Sequence, residues 1–301
     1  VPYYVASHGD STLIVVSALG HLYSIIQDDG DWTYPVYDYR WAPVHLSDPS
    51  RRRTKPFIDV IEGLSDGIDE YVSACDYDME GSLIAYNILS YACGSRSFGL
   101  ASRMRFNTLT DTDLNRAWEN RRDLDYPVIA AGKARHEIDW LFGINLSRAL
   151  TFSVKNAIGR HRVLSIGRVQ GPTLKHVWER ELEIRSFNPT PFWIIKAETT
   201  LDERDYPLEY DEERLDTREK AKEIASKCRG KEGLISDIVT TRKRYYPPTP
   251  FNLGDLQREA YRHHRYSPRT ALQAAEKLYL KAYISYPRTD SQYLPPEINI
   301  K

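Results

Sequence analysis

Three acidic side chains stand at alternate positions in the run Tyr71-Val-Ser-Ala-Cys-Asp-Tyr-Asp-Met-Glu-Gly81, namely Asp76, Asp78 and Glu80. In extended backbone, side chains two apart point the same way, so the spacing predicts three carboxylates converging at one end of a strand. Such a cluster repels itself unless a cation sits in it. Hard oxygen ligands supplied sparingly by protein suit Mg²⁺, which keeps several waters and shares its other positions with phosphate. Tyr71, Val72, Ala74 and Cys75 have the apolar character of a buried strand, which puts the acids at its carboxyl end, where open α/β sheets hold their ligands. Gly81 lets the chain turn sharply, and Ser82 to Ala92 reads as a helix with Leu83, Ile84, Ile88 and Tyr91 on one side, ended by Gly94. A solvated acidic loop would carry the same residues.

A second stretch offers a nucleophile. In Ala282-Tyr-Ile-Ser-Tyr-Pro-Arg-Thr-Asp-Ser291, Tyr286 precedes a rigid proline and Arg288 follows two positions on. A phenol has a pKa near 10, so its attack on a phosphodiester needs cationic charge and a proton acceptor nearby. Arg288 can neutralise non-bridging oxygens, and Thr289 and Ser291 offer hydroxyls to phosphate. On residue chemistry alone, Tyr286 is one of 21 tyrosines. A third stretch, Gly167-Arg-Val-Gln-Gly-Pro-Thr-Leu174, combines a flexible glycine, a planar cation, an amide and a helix start. Arg168 can grip phosphate bidentately and Gln170 can reach a phosphate or a base edge, although an ordinary helix start reads the same way.

The elements that must position these groups follow from length and periodicity. At 301 residues two or more domains are expected. The formal charge of -1, from 41 basic and 42 acidic residues, excludes a uniformly basic surface but leaves local grooves at Arg51-Arg-Arg53, Arg160-His-Arg162 and Arg242-Lys-Arg244. Cys75, Cys93 and Cys228 lack paired metal-ligand spacing and point to a reducing compartment. No apolar run approaches the roughly 18 residues of a membrane span, and no signal peptide is visible, so a soluble intracellular protein is expected. The eight histidines form no ligand motif and read as structural or surface residues.

Along the chain, Tyr3 to Ser7 and Leu13 to Ala18 form a hairpin about Gly9-Asp10, and Gln27 to Arg53 reads as one long surface loop. Phe57 to Ile68 has helical spacing, Ser102 to Asn107 looks like a strand, and Asp111 to Arg121 like a helix capped by Thr110. Lys133 to Phe187 is helical in pattern. Strands are expected at Phe192 to Thr200, Tyr206 to Tyr210 and Leu234 to Thr241, with a helix at Thr217 to Cys228. Pro247, Pro248 and Pro250 mark a boundary, after which helices are expected at Asn252 to Tyr261 and Pro268 to Leu280, the second capped by Ser267.

Tyr286-Pro-Arg-Thr-Asp-Ser291 resembles the active-site signature of type IA DNA topoisomerases, and the acidic run resembles the motif of the Toprim domain. Ser17-Ala-Leu-Gly-His-Leu22, Asp139 to Leu150, Gly167 to Leu174 and Phe251 to Ala260 match the family in the same order, in wording most like archaeal members. The resemblance implies an α/β Toprim domain over 1–131, a helical DNA-binding domain over 132–187, part of an α+β hinge domain over 188–246 and the start of the tyrosine domain over 247–301, together a partial ring. It implies Tyr286 as nucleophile forming a 5′-phosphotyrosyl ester, Arg288 as its phosphate partner, Asp76 and Asp78 as Mg²⁺ ligands, Glu80 completing the acidic site, and Arg168 and Gln170 on single-stranded DNA. The implied partner is single-stranded or negatively supercoiled DNA, acted on by a monomeric, nucleoid-associated cytoplasmic enzyme. Resealing would need no ATP, and no G-x-x-x-x-G-K-[ST] loop is present.

The family's early glutamate and lysine and its later histidine have no match between Val1 and Lys301, so an internal piece of a longer enzyme is expected, one able to bind DNA without completing a relaxation cycle. A metal-dependent Toprim nuclease or primase would need the acids without the tyrosine, and a DNA-binding remnant would need neither.

Overall fold

Gly9, at φ +59, and Asp10 turn the chain between β1 (Tyr4–His8) and β2 (Ser11–Val15), which pair antiparallel as the turn chemistry predicts. The computed structural model describes residues 1–28 and 30–294, which fall into two units, Val1–Gly171 with Pro248–Lys301, and Pro172–Pro247. The last residues of the expected tyrosine domain, 295–301, lie outside the described residues.

In the first unit, β3 (Tyr23–Gln27) and β4 (Tyr39–Pro43) form a second antiparallel pair, with Ile25 opposite Trp41. The expected loop from Gln27 to Arg53 therefore ends early. After β4 come the short helix α1 (Val44–Ser47) and a 3-10 turn over Pro49–Thr54. These pieces are too short to show a period, and their order comes from contacts elsewhere, with Val36, Ala42 and Val44 buried.

Helix α2 (Lys55–Leu64) buries Ile58 and Ile61 against Leu22 and Tyr23. Next, β5 (Tyr71–Ser73) and β6 (Ala101–Arg103) pair in parallel, joined through α3 (Met79–Tyr91), whose Leu83 and Leu89 are buried. The expected strand from Ser102 to Asn107 stops at Arg103. Met104 and Phe106 instead turn into a cluster with Ala117 of α4 (Asp111–Glu119), and Thr110 caps that helix as predicted. Among the described residues the strands form separate two-stranded sheets.

Helix α5 (Tyr126–Ile158) runs 33 residues and ends at Gly159, which takes the left-handed conformation at φ +69. It lies close against α3: a Cβ on Gly132 would stand 3.1 Å from the Met79 Cγ. Its later turns hold the loop ahead of β4. The Asn145 side chain accepts from Val36 N at 2.7 Å and donates to Val36 O at 2.8 Å. Arg148 donates to Thr33 O at 2.7 Å and Gln27 Oε1 at 2.9 Å, with its guanidinium over the Trp32 ring. Helix α6 (Gln170–Ser186) starts at the edge of this unit.

The second unit contains the hairpin of β7 (Lys196–Leu201) and β8 (Arg204–Glu209), a bridge between Trp193 and Leu215, and α7 (Arg218–Cys228). The strand expected at Leu234 to Thr241 is absent among the described residues, and its exposed apolar side chains gain no partner strand. Back in the first unit, α8 (Leu253–His264) and α9 (Pro268–Tyr279) form where expected, capped by Asn252 and Ser267. None of the described helices is long and apolar enough to cross a membrane.

Arg148 makes charge-assisted hydrogen bonds from a buried position, each worth about 1.5–3 kcal/mol. Arg148→Met is expected to lower unfolding stability by about 2 kcal/mol. Urea denaturation measures the loss, and amide exchange across residues 31–38 should quicken with it.

Candidate active site

Beyond Ser73 the chain leaves β5 and turns, with Asp78 N donating to Asp76 O at 2.8 Å. Asp78 then caps α3. Its backbone is extended, and its Oδ1 accepts from Gly81 N at 2.6 Å, satisfying one of the amides a helix start leaves open. The alternating geometry expected for Asp76, Asp78 and Glu80 is therefore not formed. Asp76 is in a loop, Asp78 is a cap, and Glu80 is inside the first helical turn, where the period is 3.6. A carboxylate so close to open helix amides bonds them in preference to extending the strand.

Gly81 is required by space. A Cβ there would lie 2.2 Å from Asp76 O, an overlap that backbone on both sides cannot relieve cheaply. Arg103, at 2% exposure, fastens the loop from β6 by donating to Ser73 Oγ and to Asp76 O, both at 2.6 Å.

Onto this loop comes the tyrosine segment. The Tyr286 hydroxyl donates to Asp78 Oδ2 at 2.6 Å, and Tyr286 N donates to Asn107 O at 2.8 Å. Asn107 is itself held by Asp113, whose Oδ2 accepts from the amides of Asn107 and Thr108 at 2.9 Å each. A second tyrosine, Tyr279 on α9, donates to Asp76 Oδ1 at 3.3 Å and meets the Tyr286 ring edge-on, centroids 5.3 Å apart. Burial, and then the hydrogen bond and charge of Asp78, push the Tyr286 phenol well above its ordinary range. Burial and Asp76 do the same to Tyr279. Asp76 keeps much of its surface open, yet the protein around its carboxyl and the charge of Asp78 raise its proton affinity.

Glu80 faces elsewhere. Its Oε2 lies 2.7 Å from His21 Nε2 and 3.0 Å from His136 Nε2, and Arg135 approaches its Oε1 at 4.0 Å. Burial alone would raise the Glu80 pKa, but hydrogen bonds from His136 and His21 outweigh it and hold the carboxylate below its usual value. His21 and His136 are thus partners of Glu80. They are 115 positions apart in the chain, so no linear motif could join them.

Arg288 is paired with Glu276, its Nη2 2.7 Å from Oε1. Thr289 and Ser291 serve the local turn: Thr289 Oγ1 accepts from Ser291 N at 3.1 Å, and Ser291 Oγ from Tyr293 N at 3.2 Å. Arg168 forms a two-pronged pair with Asp139 on α5, and Gln170 is exposed at the first position of α6. Tyr286, Asp76 and Asp78 are the expected site residues brought together directly. Arg103, Tyr279, His21 and His136 are the groups sequence reasoning missed as contributors. For Tyr279 the only available signal was its place seven residues before Tyr286.

The donor set suits a hard divalent cation. Two carboxylates share one loop, the Asp76 group raised by the protein around it and then by the charge of Asp78, with hydroxyl donors offsetting the repulsion. A family model described as DNA topoisomerase matches residues 123–301. The chain belongs to the DNA topoisomerase family.

Among its relatives, DNA topoisomerase 1 of Pyrococcus horikoshii is 41% identical over 100% of this chain and 44% of its own length. DNA topoisomerase 1 of Methanothermobacter thermautotrophicus is 43% identical over 99% of the chain and 41% of its own length. DNA topoisomerase 3 of Salmonella typhimurium is 32% identical, covering 94% of the chain and 47% of the relative. The chain thus spans less than half the length of these curated relatives. In fold it is similar to full-length topoisomerase I from Thermotoga maritima, with a TM-score of 0.60 and 24% identity over 94% of this chain and 46% of that one.

The close approach at Gly81 yields a test. Gly81→Ala is expected to displace Asp76 and cost about 2–3 kcal/mol by overpacking. Urea unfolding reads the cost, and faster amide exchange over residues 76–81 reads the displacement.

Proposed function

We propose that this chain carries the cleavage and rejoining centre of a type IA DNA topoisomerase, with residues 1–131 as its Toprim domain and residues 247–301 as the start of its tyrosine domain. The observation that carries the reading is the Tyr286 hydroxyl seated on Asp78 at 2.6 Å. A nuclease or primase built on the acids alone would have no use for a tyrosine held there by its backbone as well.

In this reading a single DNA strand lies across the loop. The Tyr286 oxygen attacks phosphorus, a bond from tyrosine to the 5′ phosphate forms, and the bond to the 3′ oxygen breaks. The phenolic proton leaves through the Asp78 carboxylate that already accepts it and is returned to the departing 3′ oxygen, so that one proton moves from the tyrosine hydroxyl to the 3′ hydroxyl overall and Asp78 ends ionised. Asp78 both holds the hydroxyl in place and opposes its ionisation, so the resting tyrosine stays protonated. Asp76 and Asp78 would hold Mg²⁺, which supplies positive charge offsetting that of the acids and the phosphate. Arg288 exchanges Glu276 for phosphate oxygens as charge develops on them. Arg168 and Gln170 contact single-stranded DNA, with Arg168 exchanging Asp139 for phosphate.

The ester conserves the energy of the broken bond, so attack by the 3′ hydroxyl reverses each bond change without ATP. Passage of a second strand between the two steps relaxes negative supercoils. The parent enzyme is inferred to act as a monomer in the cytoplasm.

Covalent capture tests the reaction. The protein, as this chain and as a chain extended to its relatives' length, is mixed with end-labelled single-stranded DNA and Mg²⁺ and rapidly denatured. A DNA-linked species is expected that Tyr286→Phe abolishes. Activity surviving that substitution would favour the nuclease reading. In the same assay Arg288→Ala should slow capture about a hundredfold or more, the size of a lost charge-stabilising donor.

A further inference from the structure

His21, Glu80 and His136 reach one point from three parts of the fold: the segment between β2 and β3, the first turn of α3, and α5. One ligand atom from each lies within 4.8 Å of the other two. Both imidazoles present Nε2 to the same carboxylate oxygen, at 2.7 and 3.0 Å, with ring centroids 4.8 Å apart. We propose that these three residues form a binding site for a borderline transition-metal cation, Zn²⁺ foremost, chemically separate from the Asp76–Asp78 pair.

The donor chemistry separates the two sites. Mg²⁺ takes oxygen ligands, whereas two imidazole nitrogens and one carboxylate suit Zn²⁺ with a fourth position left to water. The geometry needs little change. Zinc bonds of about 2.0–2.2 Å in a tetrahedron set ligand atoms roughly 3.4 Å apart, so the two imidazole–carboxylate separations of 2.7 and 3.0 Å open by under about 1 Å, and all three ligand atoms already lie within 4.8 Å of one another.

Each imidazole must move its proton from Nε2 to Nδ1 to ligate. In His21, Nδ1 is buried and bonded to nothing among the described residues, so no hydrogen bond there locks the present tautomer. The three side chains are 25%, 35% and 32% exposed, which leaves the cation a way in. Arg135, beside Oε1, directs the other carboxylate oxygen toward the histidines.

A cation at this point ties the start of α3 to α5 and keeps Glu80 turned away from Asp76 and Asp78.

The test is a calorimetric titration of the metal-stripped 301-residue chain with Zn²⁺, paired with Co²⁺ absorption as a report on ligand type. One Zn²⁺ per chain is expected, with no thiolate charge-transfer band for Co²⁺. His21→Gln and His136→Gln, which keep a donor toward Glu80, should each weaken binding at least about tenfold, while Asp76→Asn and Cys228→Ser leave it unchanged. Circular dichroism confirms that each variant folds. Absence of Zn²⁺ binding, binding that survives both histidine changes, or binding lost with Cys228→Ser would each overturn the proposal.

Discussion

Asp76 and Asp78 place two carboxylates on one tight turn, and their mutual repulsion is the constraint around which the first unit is built. Several groups answer it. Asp78 spends one oxygen on the open amide of Gly81 and the other on the Tyr286 hydroxyl, while Asp76 receives the Tyr279 hydroxyl. Arg103 is buried just behind and bonds the Asp76 carbonyl, bringing a positive charge to the back of the loop. Each of these contacts offsets part of the repulsion between the two carboxylates.

The same constraint explains the separation of Glu80 from the other two acids. A third carboxylate aimed into the loop would add repulsion without a donor to meet it. The helical turn begun by Asp78 rotates Glu80 toward two imidazoles and an arginine, which stabilise its charge. The tyrosine segment is fixed independently of its hydroxyl. Asp113 holds the Asn107 turn, and Asn107 O receives the Tyr286 amide. The ring therefore meets Asp78 through a backbone anchor as well as a side-chain bond.

Much of the local structure was legible from the chain. Gly9-Asp10 marked a hairpin, Thr110, Asn252 and Ser267 marked helix starts, and the apolar spacing of Phe57 to Leu64 marked a buried helix face. These signals act within a few residues, so no tertiary contact was needed to read them. Misreadings fell where distant contacts decide. Tyr39–Pro43 is a strand because β3 pairs with it, and Leu234 to Thr241 lacks a partner strand despite its strand-like composition. A two-residue period also misplaced Glu80, because a cap at Asp78 changes the period within the motif itself.

Sequence alone determined the chemistry of the candidate site: carboxylates able to hold a hard cation, a tyrosine beside a proline and an arginine, and glycine where the chain must turn. Residue type and short-range spacing carry that information directly. Only the tertiary structure decided which groups meet. It set Tyr286 on Asp78 across 208 positions, brought Tyr279 to Asp76 across 203, and closed His21 and His136 on Glu80. Such pairings depend on the packing of α3 against α5, on Tyr279 of α9 reaching the Asp76 loop and on the buried Arg103, and a linear pattern cannot encode a distance that exists only after those elements have packed.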